Sequence, residues 1–316
     1  MLADQERIFS FSAFVALSLT FVRQLVVGIA IIPFLVKNIE QDMTSAARLM
    51  SFHDMRSESS HQNDTKPPED WPKEGAVCIS DSLLSHTYGR RRVSSETLSL
   101  SIEPREKVCI IGQKNAKTIS FASKLMLLSK GSQQEAWVDD ISLATISLRE
   151  ARKAFCTLQQ TPFIFTASIR KNLDPEEKHE DEELWNVLDT VTMKEYVKGL
   201  PGGLDYMMTQ SVNFSNSRLL LLSLARAILQ KKKIVIFDGV VSGVDFTTLR
   251  IIHSVVKNQF ANSSVITVAY GPIGLETILH HDRVVVMEQG RIVEMDSPNA
   301  LLARKGSLLS EFLAPT

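Results

Sequence analysis

The sequence predicts an α/β domain with a largely parallel sheet, preceded by one long apolar helix. From about Ala76 onward, short runs rich in β-branched residues alternate with patterns of helical spacing, which is typical of a sheet built from strand–helix units. The predicted strands are Val108–Ile111, Phe155–Leu158, Ile234–Phe237, Val265–Ala269 and Val284–Met287. The helical patterns between them include Asp181–Leu188, Ser217–Leu229 and Leu249–Phe260.

The predicted apolar helix covers Ile8–Val36, which is longer than the roughly 20 apolar residues that cross a hydrocarbon core. Arg23 and Gln24 interrupt it near the middle, so a buried amphipathic helix of a soluble protein remains the alternative. Asp4 and Glu6 stand where a secretory signal carries positive charge, which disfavours a signal peptide. In a membrane, Arg23 must face other helices or water rather than lipid. The pattern therefore predicts neighbouring transmembrane helices.

Composition divides the chain into three parts. We expect a membrane helix and its amphipathic continuation over residues 1–54, a linker over residues 55–75, and the α/β domain over residues 76–316. The linker prediction rests on the polar, proline-containing run from Arg56 to Gly75. A histidine pair, His280 and His281, is predicted to lie in an exposed turn.

Charge and cysteine content exclude several classes of function. The formal net charge is −1 over 316 residues, and basic and acidic residues are interspersed. Such a chain lacks the basic surface that binds nucleic acid, so we expect no nucleic-acid partner. The three cysteines have neither the spacing of a zinc site nor that of a disulfide framework.

The segment VCIIGQKNAKTIS, Val108 to Ser120, has the context of a phosphate-binding loop without its spacing. Such a loop needs G-x-x-x-x-G-K-[ST], because glycines let backbone N–H groups surround the phosphates and the hydroxyl holds Mg²⁺. Counted from Gly112, the second glycine is Lys117, and Thr118 takes the lysine position. A loop one residue shorter puts Lys117 and Thr118 in the lysine and hydroxyl roles, but Ala116 then replaces the glycine. Alone, this is a weak match.

Further segments strengthen the match. KKIVIFDGVVSGVD (232–245) is a buried strand that ends in a carboxylate, and VNFSNSRLLLLSLARAIL (212–229) precedes it. Together with WPKEG (71–75), SIRKNLDPEE (168–177) and RIVEMDSPNALL (291–302), they resemble, in the right order, the nucleotide-binding domain of an ATP-binding cassette (ABC) transporter. The resemblance is strongest to the second such domain of the multidrug-resistance-associated (C) subfamily. NIEQDMTSAARLMSF (38–52) resembles the stretch that joins its last transmembrane helix to that domain. This resemblance implies a P-loop NTPase-like fold.

The resemblance assigns roles to individual residues. It implies that Tyr88 stacks on adenine, that Gln160 and Asp238 hold Mg²⁺, and that Asp245 lies in a loop at the interface with a second nucleotide-binding domain. The implied nucleotide set is Tyr88, Gly112, Lys117, Thr118, Gln160 and Asp238. The implied metal ligands are Thr118, Gln160 and Asp238, and the implied interface residues are Ser215, Ser217 and Asp245. Plain packing or strand-end capping roles remain open for Tyr88, Gln160 and Asp238.

Four elements depart from the family pattern. Gly239 stands where the family has a Glu that polarises the attacking water, and Tyr270 stands where it has a His that contacts the terminal phosphate. Ser215-Asn216-Ser217-Arg218 replaces the signature S-x-G-Q, and the phosphate loop is the fourth. We therefore expect a degenerate domain with no catalytic residue and no ATP hydrolysis, and with binding of ATP and Mg²⁺ that is weak or lost.

Three functions stay open. The chain is a structural or regulatory half-site that pairs with another cassette, a working component of an ATP-driven exporter of organic anions or xenobiotics with hydrolysis at a partner site, or a non-functional remnant. In the first two readings it lies in a membrane with its α/β domain in the cytosol. Its partners are then other transmembrane helices and a second nucleotide-binding domain.

Overall fold

The structure is a computed structural model that describes residues 2–54, 66–81, 98–112, 136–208, 214–288 and 291–313. It divides into two units, Met1–Ser60 and His61–Thr316. Three predicted site residues, Tyr88, Lys117 and Thr118, lie outside the described residues.

The first unit is a single helix, α1 (Leu2–His53), which continues through Pro33. Its stretch from Ala13 to His53 is long and apolar enough to cross a membrane, with a mean hydropathy of 2.1 in its most apolar window. The large apolar side chains along this stretch are exposed. Hydroxyls within it donate to carbonyls of the preceding turn, as Thr20 does to Ala16 at 2.8 Å, so these polar groups are satisfied inside the helix. The helix therefore has the length and composition of the predicted apolar helix.

The second unit is built on a six-stranded sheet of mainly parallel strands. In spatial order the strands are β12 (Arg291–Asp296), β11 (Arg283–Glu288), β3 (Lys107–Gly112), β10 (Ser264–Tyr270), β9 (Ile234–Asp238) and β6 (Phe155–Gln159). Only β12 runs antiparallel to its neighbour among these described strands. The five strands other than β12 are the five that the β-branched runs predict. The four inner strands, β11, β3, β10 and β9, are mostly buried on both faces, as parallel strands under covering helices must be. The edge strand β6 exposes Thr157 and Gln159.

A smaller antiparallel sheet packs beside the first. Its order is β2 (Leu98–Ile102), β1 (Val77–Asp81), β4 (Ala136–Val138) and β5 (Ile141–Ser142). Apolar side chains of β1, β2 and β4 share a core cluster with β3, β9 and β10. Two further strands of two residues each, β7 (Ala167–Ser168) and β8 (Met207–Met208), pair antiparallel with each other. The sequence patterns predict neither the small sheet nor this pair.

Nine helices of the described residues complete the fold. After α1 they are α2 (Leu148–Lys153), α3 (Ile169–Leu173), α4 (Asp181–Thr190), α5 (Lys194–Lys198), α6 (Asn216–Gln230), α7 (Phe246–Asn258), α8 (Leu275–Leu279) and α9 (Pro298–Ala303). Short 3₁₀ turns occupy Leu143–Thr145, Gly203–Asp205 and Leu308–Phe312. Helix α6 buries a leucine-rich face against β6, α3 and α4, which is the core role that its periodicity predicts. The helices predicted over Asp181–Leu188, Ser217–Leu229 and Leu249–Phe260 all form, with ends shifted by a few residues.

The last residues of the predicted linker are built into the second unit. Trp71 donates its indole N–H to the carbonyl of Val138 at 3.2 Å and packs against the core. The Asp139 carboxylate accepts four consecutive backbone N–H groups, from Lys73 through Ala76. Gly75 has a φ of +82°, and a Cβ there would lie 2.8 Å from the carbonyl of Lys233. The polar residues at the end of the predicted linker are therefore held by specific hydrogen bonds to Val138 and Asp139.

Candidate functional site

The sheet register brings four of the predicted site positions to one edge. Strand β3 ends at Gly112, which pairs with Tyr270 at the end of β10. Strand β9 ends at Asp238, and Gln160 follows directly on β6, whose last residue pairs with Asp238. The carboxyl ends of parallel strands are where such sheets bind ligands. Residues that are up to 158 positions apart in the chain, from Gly112 to Tyr270, thus become neighbours.

The central contact of this edge joins Tyr270 to Asp238. The Tyr270 hydroxyl donates to Oδ1 of Asp238 at 2.6 Å, within the range of strong hydroxyl–carboxylate bonds. Burial raises the pKa of the Tyr270 hydroxyl, and the bond to Asp238 raises this pKa further. The phenol is therefore neutral at physiological pH, with its proton directed at the carboxylate.

Gly239 lies against the Tyr270 ring. A Cβ built on Gly239 would lie 3.2 and 3.3 Å from two ring carbons of Tyr270, and 3.4 Å from Cβ of Gln160. The φ of Gly239 is +67°, in the region that side chains other than glycine rarely adopt. Its N–H donates to the carbonyl of Val268 at 2.8 Å, which holds this backbone against β10. The lack of a side chain at Gly239 therefore leaves room for the Tyr270 ring.

Ser242 is a member of the site that the sequence did not indicate. Its hydroxyl lies 3.3 Å from the carbonyl and 3.4 Å from the backbone nitrogen of Tyr270. Its own carbonyl accepts from the Gln160 side-chain amide at 3.1 Å. Gln160 in turn donates its backbone N–H to the carbonyl of Asp238 at 2.9 Å. Ser242 thus connects the loop after β9 with both neighbouring strand ends, although a serine between two small residues carries no sequence signal.

The predicted interface residues form a second group at the beginnings of α6 and α7. Ser215 caps α6 by accepting from the N–H of Arg218 at 3.4 Å. Ser217 donates its hydroxyl to Oδ2 of Asp245 at 2.5 Å. Asp245 caps α7 through the backbone N–H and hydroxyl of Thr248 at 2.9 and 2.8 Å.

These bonds also set the charge state of the interface group. The hydrogen bonds from Ser217 and Thr248 lower the pKa of Asp245 to about 2. Asp245 is thus ionised at neutral pH, although its oxygens are engaged within the chain. Arg218, at the fourth signature position, places its guanidinium 4.0 Å from the centre of the Tyr196 ring.

The geometry at Asp238 does not fit a Mg²⁺ ion. Magnesium needs near-octahedral oxygen ligands at about 2.0–2.1 Å, and it is held through carboxylates whose oxygens are open. One oxygen of Asp238 already accepts a phenol proton at 2.6 Å. Among the residues that the structure describes, no group of three or more His, Cys, Asp or Glu side chains could hold a metal ion.

The histidine pair corrects one prediction. His280 is exposed as expected, but His281 is buried, so the prediction of an exposed turn is wrong for it. Its ring nitrogens lie 2.8 Å from the carbonyl of Thr277 and 2.8 Å from the hydroxyl of Thr267. Burial lowers the pKa of His281 to about 4. This histidine is a satisfied, neutral core residue.

Comparisons with known proteins confirm the family that the order of the segments predicted. The chain is 36% identical over 271 residues to human ATP-binding cassette sub-family C member 4, and 31% identical over 273 residues to mouse ATP-binding cassette sub-family C member 2. These matches cover 85% and 86% of the chain. The chain belongs to the ATP-binding cassette family, and its relatives are members of subfamily C.

The match to the ATP-binding cassette relatives is partial on their side. The chain spans 20% and 17% of the length of these two relatives. No protein-family model matches the chain. Among solved structures, a bacterial Atm1-family ABC exporter with ATP bound aligns with a TM-score of 0.71 at 20% identity, covering 87% of this chain and 47% of that chain. At this identity the likeness shows the ATP-binding cassette fold alone, as the order of the segments predicted.

Proposed function

We propose that this chain is the carboxy-terminal part of an ABC-type membrane protein whose nucleotide-binding domain does not hydrolyse ATP and acts as a structural or regulatory half-site. One observation carries the proposal. At the sheet edge that would face a nucleotide, Tyr270 binds Asp238 beside a glycine that has no side chain to activate water.

The chemistry of phosphoryl transfer supports this proposal. Catalysis of that reaction depends almost wholly on positioning and charge stabilisation, and each lost donor or base commonly costs about 10²–10³ in rate. Gly239 provides no base, and the Tyr270 proton is committed to Asp238 rather than to a phosphate. Losses within one site are not additive, but either loss alone removes most of the turnover.

A role in pairing is supported by what the domain retains. Ser215 and Asp245 cap α6 and α7, and both helices begin on the surface that the family resemblance assigns to a second nucleotide-binding domain. Three core clusters of buried apolar side chains support a stable fold, which disfavours a remnant that cannot fold. By the same resemblance, α1 lies in a membrane with other helices, the second unit lies in the cytosol, and any ATP is held weakly.

A second candidate is a working part of an ATP-driven exporter, with hydrolysis at the partner's site. The name of one fruit-fly relative, "Probable multidrug resistance-associated protein lethal(2)03659", at 32% identity over 85% of the chain, favours it. The two candidates share an inactive site in this chain. They differ in whether removal of the chain abolishes transport.

ATP turnover by the purified full chain in detergent or nanodiscs tests the proposal. We expect no turnover above that of Asp238→Asn, which removes the strand-end carboxylate. Steady turnover that Asp238→Asn abolishes would refute the proposal. Co-purification with a complete ABC protein supports pairing, and failure to pair with any cassette refutes it. Loss of vesicular transport on removal of this chain would favour the exporter component.

A further inference from the structure

We propose that Tyr270 closes the metal-holding oxygen of Asp238, so that this site takes a nucleotide without Mg²⁺. The inference deepens the proposed function and rests on it, because it specifies the form of nucleotide that a non-hydrolysing half-site accepts. Its basis is the hydrogen bond between the Tyr270 hydroxyl and Oδ1 of Asp238, together with the room that Gly239 leaves for the Tyr270 ring.

The Tyr270 hydroxyl and a Mg²⁺ ion compete for the same oxygen of Asp238. A phenol bound to a carboxylate directs its proton at the oxygen, and a cation at that oxygen would have to displace it. The Asp238 side chain is therefore present but engaged. Its presence in the sequence alone would suggest a metal ligand.

Contacts at both ends of Tyr270 hold it in the closing position. Ser242 contacts the backbone nitrogen and the carbonyl, and Asp238 accepts from the hydroxyl at the end of the side chain. The backbone of Gly239 lies under the ring at a distance that admits no ordinary Cβ contact. A side chain at position 239 would push the ring away from Asp238. The hydrogen bond from Tyr270 to Asp238 thus depends on the lack of a side chain at position 239.

The experiment compares nucleotide affinity with and without the metal. A fluorescent ATP analogue is titrated into the full chain in excess Mg²⁺ and in EDTA. We expect the two dissociation constants of the wild-type chain to agree within about twofold. Tyr270→Phe keeps the ring on Gly239 but frees Asp238, and we expect Mg²⁺ to tighten analogue binding to this variant by at least about tenfold. Asp238→Asn in the Tyr270→Phe background should abolish that gain.

Two outcomes overturn the inference. One is a Mg²⁺-dependent rise in affinity in the wild-type chain, and the other is no gain in Tyr270→Phe, including the case in which neither protein binds the analogue. Thermal unfolding checks that both variants fold, and Mn²⁺ binding followed by water-proton relaxation gives a second readout that needs no nucleotide. The two proposals fail in different assays. ATP turnover by the wild-type chain would refute the proposed function, whereas Mg²⁺-dependent analogue binding by the wild-type chain would refute only this inference.

Discussion

Gly239→Ala gives the sharpest test of the described site. Two separate costs apply in the structure. The φ of +67° is unfavourable for any residue with a Cβ, at about 1–2 kcal/mol. The new Cβ would also lie 3.2 Å from the Tyr270 ring, whose hydroxyl is bonded to Asp238 and whose backbone is bonded to Ser242. Overpacking of this kind costs about 1–3 kcal/mol, so we expect a total loss of about 2–5 kcal/mol.

Gly243→Ala is the matched control. Gly243 follows in the same loop with a φ of +81°, but a Cβ there meets no atom within 4 Å. This variant carries the backbone cost without the ring contact, so we expect a loss of about 1–2 kcal/mol. The difference between the two glycine variants isolates the contact with Tyr270. Urea unfolding of each variant at pH 7, followed by the tryptophan signal, measures it.

Removing the ring completes the cycle. In a Tyr270→Ala background, Gly239→Ala should cost no more than Gly243→Ala does, because only the φ penalty remains. Equal losses for the two glycine variants in the wild-type chain would refute the reasoning. A stabilising Gly239→Ala would refute it more strongly, since alanine stabilises by about 0.4–1 kcal/mol only where the backbone accepts it.

Three further predictions concern stability and reactivity. Asp245→Asn should cost about 1 kcal/mol at pH 7, because a neutral amide accepts the bonds from Ser217 and Thr248 more weakly than a carboxylate. The pKa of Asp245 in the folded chain is about 2, below the ordinary 3.8, so this loss should persist above pH 4 and close as pH falls towards 2; a loss unchanged at pH 2 would contradict this. Asp139→Asn should lower the free energy of unfolding by about 1–2 kcal/mol, because a single amide oxygen replaces a carboxylate that accepts four N–H groups. An unchanged midpoint of urea unfolding would argue against this. Ellman's reagent at pH 8 should label Cys78 alone in the native chain, because Cys109 and Cys156 are buried and burial raises the pKa of their thiols to about 12. Labelling of more than one thiol before unfolding would contradict this.

The inner strands of the large sheet could be predicted from sequence because they are buried on both faces. Runs such as Ile234–Phe237 are continuously apolar, and this pattern with helical segments between identifies a parallel sheet. The small sheet escaped prediction for the opposite reason. Its strands are short, and β4 and β5 have only three and two residues, too few for an alternation to be visible.

The site was predictable in position but not in its contacts. A carboxylate after a buried strand identifies Asp238, yet its partner Tyr270 lies 32 residues away, and only the register of β9 against β10 brings them together. His281 shows the same limit. It and His280 are adjacent and chemically identical in the sequence, but His281 is buried against Thr267, whereas His280 is exposed and stacks on His253.

Gly239 and Tyr270 are two departures in the sequence and one feature in the structure. With Tyr270 in place, any residue other than glycine at position 239 meets the ring, so restoring the glutamate alone destabilises the edge before it can position water. With Gly239 in place, a histidine at position 270 frees Asp238 but finds no base beside it. On the proposed function, we therefore expect ATP turnover to need both changes together, as well as changes at Ser217 and Arg218. Because Gly239→Glu alone is costly and Tyr270→His alone supplies no base, we expect neither single substitution to give turnover.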